Sequence, residues 1–179
     1  IKAGSLVRAQ YTYCQGAVLG LETELAARTD DDRHAPRVHR LVAAVDERMA
    51  PAGVLRGSGG GDGGLFAGIT ARYLALVATT LPGESAADVA ARETAREIVL
   101  SSAQSAWDNR QSVQGLPLFG PFSDRAAELP TATGQQAQFV GGAVTGSEIP
   151  ERDLSVQLSG WMLMEAAYAV TVNEGTSHE

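Results

Sequence analysis

The sequence is poor in the residues that support several classes of site. It has 179 residues with one cysteine, Cys14, and no lysine after Lys2. One cysteine excludes an internal disulfide and a zinc site built from thiolates. The net charge of −7 argues against nucleic acid or an anionic membrane as the main partner, since both attract clustered Lys and Arg. No apolar run approaches the roughly 18 residues that a membrane span needs, and we find no motif for a cofactor.

The rest of the composition is that of an ordinary globular domain. Hydrophobic residues make up 44% and charged residues 20% of the chain, which is enough apolar material for one domain with a real core. The sequence opens at Ile1 rather than at methionine. We therefore expect a chain that has been processed or cut from something longer.

Helical periodicity dominates the sequence. Apolar residues recur at spacings of three and four, and they predict five helices over residues 11–28, 36–49, 65–81, 85–107 and 151–172. Ser85 is the expected N-cap of the fourth helix. Residues 111–150 look irregular, and no strands alternate with the helices. The predicted fold class is all-α, with helical hairpins stacked in order.

The last helix and the two tryptophans carry specific expectations about burial. The periodicity predicts that one face of the last helix points inward, comprising Leu154, Leu158, Trp161, Met162, Ala166 and Ala169. For Trp107 and Trp161, core packing is a better expectation than stacking on a sugar.

The stretch Gly57–Gly64, GSGGGDGG, raises three interpretations. It matches the pattern G-x-G-x-x-G, but a dinucleotide site needs a preceding strand, and a phosphate-binding P-loop needs a Gly-Lys pair. A flexible connector is the plain alternative. The third is a loop that carries a functional carboxylate, because Asp62 lies just before a helix with Phe66 in its first turn. That carboxylate could cap the helix or face a ligand.

The first helix opens with a matching polar group in YTYCQG. Tyr11, Tyr13 and Gln15 place two phenol groups and an amide at one helix entrance, which suits a ligand rich in hydroxyl groups. The plain alternative is that Tyr13 is a core aromatic residue at helical spacing.

Other candidate groups point to ordinary structural roles. The run Asp30-Asp31-Asp32 falls in a polar turn, where aspartate is favoured without any catalytic function. His34, His39 and His178 are too scattered to predict a metal site. Cys14 has no visible base to activate it as a nucleophile.

The start of the first helix, YTYCQG, and the glycine-rich stretch with the helix after it together resemble glycoside hydrolase family 76, the endo-α-1,6-mannanases. In that family a helix opens with a Tyr-Thr-Tyr-Asn-Gln-Gly-like motif, which residues 11–16 match except at Cys14. A Val-Leu-Arg step follows, here residues 54–56, and then an Asp-x-x-x-Phe-Lys-Gly motif that opens a helix ending in Arg-Tyr-Leu. Here that motif runs from Asp62 through Phe66 to residues 72–74, with Ala67 in place of the lysine.

The resemblance implies about half of an (α/α)6 toroid, its C-terminal half, spanning residues 1–179. It implies a retaining glycosidase whose two catalytic aspartates lie upstream, so this chain alone is expected to be inactive and to hold no catalytic residue. Tyr13, Gln15, Asp62 and Phe66 are the implied sugar-contacting residues for a mannan-type oligosaccharide. The implied location is secreted or in the cell envelope.

A half toroid should expose an apolar edge, so we expect pairing with the missing half or with a second copy. Two alternatives to a mannanase stay open. The departures at Cys14 and Ala67 suggest a carbohydrate-binding relative without catalysis. An unrelated helical-hairpin interaction module would instead have polar outer faces on its terminal helices.

Overall fold

The computed structural model describes residues 10–131 and 133–175. Its helices are α1 (Thr12–Arg28), α2 (His34–Met49), α3 (Phe66–Thr80), α4 (Ala86–Asp108) and α5 (Leu154–Gly175). Short 3-10 helices lie at Pro51–Gly53, Gly61–Leu65 and Pro150–Arg152. All five predicted helices are present within a few residues of their expected limits. None of the helices in these ranges has the length and apolar character needed to cross a bilayer.

The start of α4 shows why one boundary was predictable from sequence. The Ser85 side chain accepts a hydrogen bond from the Asp88 backbone N–H, and the Asp88 carboxylate accepts one from the Ser85 N–H at 3.0 Å. This reciprocal capping satisfies two backbone donors that the first helical turn leaves without partners. The predicted N-cap is therefore confirmed.

The helices pack in two layers. Helix α3 packs between α1 and α5, and these three form one layer, called here the three-helix layer. Helices α2 and α4 pack against each other and against one side of it, forming the two-helix layer. Most of the largest fully buried side chains belong to the core between the layers, namely Leu19, Val38, Val42, Leu74, Val77, Ile98 and Val99.

Small residues let the helices of the three-helix layer approach closely. A Cβ atom added to Gly16 of α1 would lie 2.9 Å from the Cα of Thr70 on α3. One added to Gly68 of α3 would lie 2.7 Å from the Cα of Ser159 on α5. The Gly68 N–H also donates to the Ser159 hydroxyl at 2.8 Å. The spacing of the three helices thus depends on glycine at these crossings.

The segment expected to be irregular contains two β-hairpins. Strand β1 (Gln111–Val113) pairs antiparallel with β2 (Leu116–Leu118), and β3 (Gln138–Val140) pairs with β4 (Ala143–Thr145). Both turns use two residues with positive φ, as two-residue hairpin turns require. The fold is therefore mostly helical rather than purely so. The Gly-Gly turn was readable in the sequence as a hairpin signal, whereas Gln-Gly is not among the usual turn pairs.

The prediction of which face of α5 points inward was wrong in part. Leu154, Leu158 and Trp161 are exposed to solvent, and among the expected residues only Ala166 is buried. The helix buries another stripe, which includes Val156, Leu163 and Val170. Because α5 is apolar around most of its circumference, its periodicity alone could not select the side that contacts the rest of the chain.

Trp107 is also not a core residue. Its side chain is exposed near the end of α4, and the guanidinium of Arg110 lies 3.7 Å from the ring centroid. Such a cation–π contact covers an exposed ring without placing it in the core. Core packing was therefore the wrong expectation for both tryptophans.

Candidate functional site

The two sequence motifs meet where α1 and α3 begin. The ring centroids of Tyr13 and Phe66 lie 4.4 Å apart, and the Tyr11 ring lies 5.7 Å from Phe66 in an edge-on arrangement. These distances are those of favourable aromatic pairs. Tyr11 is exposed, while Tyr13 and Phe66 are half-buried. The structure thus brings two of the predicted site residues together as a partly open group, called here the aromatic cluster.

Tyr13 provides a hydrogen-bonding group within this cluster, whereas Gln15 follows two residues later on α1, a spacing that does not share a helix face. Both side chains are half-buried in the first turn of α1. A hydrogen bond to the adjacent Cys14 raises the pKa of the Tyr13 phenol above its ordinary value. The phenol therefore keeps its proton at neutral pH and can donate to a hydroxyl group.

Asp62 lies four residues before Phe66, in the 3-10 helix Gly61–Leu65. Its side chain is exposed, and one carboxylate oxygen accepts a hydrogen bond from the Val144 backbone N–H at 3.0 Å. Helix α3 begins at Phe66 without a side-chain cap. Of the roles considered from sequence, capping of α3 is therefore wrong, and the carboxylate is joined instead to the β3–β4 hairpin.

The glycine-rich stretch is a packed loop rather than a slack connector. A side chain at Gly57 would collide with the carbonyl oxygen of Pro121. Gly61 has a φ of +57°, and a side chain there would collide with the carbonyl oxygen of Val144. Glycine is needed because the backbone is crowded on both sides. No strand precedes this loop in residues 10–56, so the nucleotide interpretation lacks its structural context.

Asp153, which the sequence did not single out, anchors the glycine-rich stretch. Its side chain is buried at the start of α5 and accepts a hydrogen bond from the Gly61 N–H at 2.7 Å. It also accepts bonds from the backbone N–H and the hydroxyl of Ser147. Burial raises the pKa of Asp153, but the bonds from Ser147 and Gly61 outweigh it and hold the pKa below its ordinary value.

One sequence signal could have revealed Asp153. It stands immediately before α5, where aspartate is a favoured N-cap. Its actual partners could not have been found, because Gly61 is 92 residues away in sequence. A buried, ionised carboxylate surrounded by donors is a rigid anchor.

The remaining acidic and histidine candidates lie in other contacts. Asp31 binds the Arg33 guanidinium in the turn between α1 and α2, and this bond holds its pKa well below the usual range. His34 contacts Glu22 at 2.6 Å, and His39 contacts Asp88 at 2.8 Å. His178 lies outside the described residues. Within those residues, no group of three side chains is arranged to hold a metal ion.

Comparison with known proteins decides the family. The model of glycosyl hydrolase family 76 matches residues 2–158. The chain belongs to this family. This confirms the resemblance inferred from the motifs, and it removes the hypothesis of an unrelated helical-hairpin module. None of the curated proteins compared matches the chain significantly.

Solved structures of family 76 share the fold of this chain. An α-1,6-mannanase of the family from Salegentibacter sp. HEL1_6 superposes with a TM-score of 0.70 at 27% identity, covering 95% of this chain and 44% of the mannanase chain. An inactive variant of that mannanase, with two consecutive aspartates replaced, was solved with α-1,6-mannotetrose and superposes with a TM-score of 0.69 at 26% identity. This chain thus spans less than half the length of those family 76 structures.

The three-helix layer has an uncovered side, called here the open face. Side chains of α1, α3 and α5 line a groove of about 950 Å³ there, including Leu21, Leu76 and Met162. Two of the lining residues, Leu21 of α1 and Leu158 of α5, are 59% and 43% exposed. An apolar surface of this kind commonly marks an interaction site.

Proposed function

We propose that this chain is the C-terminal half of a family 76 domain that hydrolyses α-1,6-linked mannose chains with retention. The main support is that the two family motifs meet at the aromatic cluster, where the ring centroids of Tyr13 and Phe66 lie 4.4 Å apart. The family match and the mannanase structures support the same reading. The substrate is a mannan-type oligosaccharide of a cell wall or glycan, and the protein is secreted or held in the cell envelope.

The proposed hydrolysis requires two carboxylates, and we place both in the half of the domain that precedes this chain. In a retaining glycosidase one carboxylate attacks the anomeric carbon while the other protonates the leaving oxygen. The glycosyl–enzyme bond is then hydrolysed by water, with the second carboxylate acting as base. The two consecutive aspartates replaced in the inactive mannanase variant fit such a pair in that enzyme. This chain alone is therefore expected to be inactive.

The residues of this chain bind and orient the sugar. The Tyr13 phenol and the Gln15 amide hydrogen-bond sugar hydroxyl groups, and the Phe66 ring packs on the apolar face of a pyranose. The free oxygen of Asp62 is the acceptor for a further hydroxyl group. Correct placement of the substrate matters because small displacements of the reacting atoms cost large factors in rate.

We further propose that the open face packs against the other half of the same domain. The mannanase chains are more than twice as long as the part that this chain covers, and an apolar groove suits a buried internal contact. A second copy of this chain is the competing occupant. Sedimentation of the chain at several concentrations separates the two, because self-association would indicate the second copy.

Hydrolysis of α-1,6-mannan tests the main proposal. We expect a protein that contains this chain and the preceding half to release reducing sugar. Gln15→Ala should weaken binding by about tenfold, as for loss of one hydrogen bond that leaves a polar group unpaired. Gln104→Ala, on α4 of the two-helix layer, is the matched control. Absence of release by a protein that retains both upstream aspartates would refute the activity.

A carbohydrate-binding relative without catalysis is the second candidate. It is favoured by Cys14 and by Ala67, whose side chain packs against the core where the family motif has a lysine. Calorimetry with α-1,6-mannotetrose distinguishes the two functions. Binding without any hydrolysis would support this candidate.

A further inference from the structure

The β3–β4 hairpin exposes apolar side chains that play no part in the core. Phe139 is 75% exposed and Val140 is 57% exposed. The neighbouring strand residues Gln138 and Thr145 are polar and also exposed. An exposed aromatic ring flanked by hydrogen-bonding side chains can pack on the apolar face of a ligand whose polar groups those side chains bind.

The hairpin is fixed to the glycine-rich loop through Val144. Phe139 and Val144 face each other across the two strands. The Val144 N–H points away from the partner strand and donates to the Asp62 carboxylate at 3.0 Å. The close fit of Gly61 against the Val144 carbonyl oxygen adds a second contact. The hairpin therefore takes its position from Asp62 and Gly61.

This attachment joins the hairpin to the segment that leads into the aromatic cluster. Directly opposed strand residues have Cα atoms about 4.5 to 5.5 Å apart, so Phe139 lies close to the point where Val144 meets Asp62. Asp62 is four residues before Phe66, which contacts Tyr13. The 3-10 helix Gly61–Leu65 thus contacts the hairpin and continues directly into Phe66 of the cluster.

We infer that Phe139 contacts the oligosaccharide at a second point beyond the aromatic cluster, and that Asp62 is the positioning residue for its hairpin. This inference rests on the proposed function. A sugar chain fits better than a protein partner, because the exposed apolar area is small and adjoins the candidate sugar site. The ring would pack on the C–H face of a mannose unit remote from the cleaved bond.

Binding of oligosaccharides of increasing length to the full-length protein tests the contact. We expect Phe139→Ala to weaken binding of α-1,6-mannotetrose by about tenfold, the scale of one aromatic contact. Binding of the α-1,6-linked disaccharide should not change, because a short chain does not reach the hairpin. Leu116→Ala removes a similarly exposed side chain from the β1–β2 hairpin and should leave both affinities unchanged.

Variants at Asp62 and Val144 test the positioning role. Asp62→Asn keeps an oxygen that can accept the Val144 N–H, so it should retain most of the tetrasaccharide affinity. Asp62→Ala and Val144→Pro each remove the hydrogen bond, and both should weaken tetrasaccharide binding. Proline leaves the strand pairing intact because this N–H lies outside it. The Asp62→Ala/Val144→Pro double variant should bind the tetrasaccharide as well as the single variant of lower affinity, because both changes remove the same hydrogen bond.

Each outcome has a separate meaning. If the wild-type protein neither binds nor cleaves α-1,6-linked mannose chains, the proposed function fails. If the wild type binds but Phe139→Ala binds equally well at every length, only the hairpin inference fails. Loss of binding in Asp62→Asn with normal binding in Val144→Pro would show that Asp62 serves binding only through its own contact with the sugar, which overturns its positioning role.

Discussion

The two faces of the three-helix layer contain similar side chains but differ in what covers them. On the side of α2 and α4, Leu19 and Leu74 are fully buried. On the open face, Leu21 is 59% and Leu158 is 43% exposed. Leu19 and Leu21 are two positions apart on the same helix. Apolar periodicity therefore identifies the surfaces that can be buried, whereas the neighbouring helices determine which of them are buried within this chain.

The largest expected effect comes from the covered face. Leu74→Ala should lower the free energy of unfolding by about 2 to 5 kcal/mol, because it removes buried methyl groups and leaves a cavity. Urea denaturation measures the change. Leu21→Ala deletes the same atoms from the open face and should cost under about 0.5 kcal/mol in this chain. Equal losses for the two variants would refute the contrast between the faces.

Removal of the Asp153 anchor should have the next largest effect. Asp153→Asn places an amide against the Gly61 and Ser147 donors, and we expect a loss of about 2 to 3 kcal/mol in urea denaturation at neutral pH. Asp124→Asn, at an exposed site, is the control.

The pH dependence of unfolding checks the same anchor. The folded-state pKa of Asp153 is below its ordinary value of about 3.9. Its contribution to stability is therefore complete above about pH 4 and is lost as the pH falls through the lowered folded pKa. Asp153→Asn should have a flatter stability profile below pH 4. A profile parallel to that of the wild type would contradict this assignment.

Close helix contact within the layer predicts a smaller effect. Gly68→Ala places a methyl group 2.7 Å from the Cα of Ser159, so α3 and α5 must separate slightly. We expect a loss of about 1 to 3 kcal/mol in urea denaturation, typical of overpacking. Ala78→Gly on the same helix is a control for helix propensity alone, with an expected cost near 1 kcal/mol. A Gly68→Ala protein as stable as wild type would show that the helices have room.

The smallest expected effect tests what covers the open face. In the complete domain, Leu21→Ala should cost about 1 to 2 kcal/mol, because burial of its exposed methyl groups would be lost. In this chain alone the same change should cost under about 0.5 kcal/mol. Leu116→Ala, on β2, should have equal effects in both proteins. If Leu21→Ala also has equal effects, the open face is not covered by the other half.

The sequence was sufficient to predict features set by neighbouring residues. The five helices and the Ser85 cap follow from local spacing, whereas the family motifs only implied that Tyr13 and Phe66 line one groove. Features set by distant contacts were not predictable. The orientation of α5 depends on where α3 packs, and the role of Asp153 depends on a loop 92 residues earlier in the chain.

The anchored glycine-rich loop has a consequence for the thermodynamics of sugar binding. Glycine-rich segments lose the most conformational entropy when they become ordered. Here Asp153, Pro121 and Val144 order the loop when the protein folds. An arriving ligand would therefore meet a rim whose backbone is already fixed, and its binding would carry little entropic penalty from this loop. A segment that resembles a flexible tether is thus a preorganised surface.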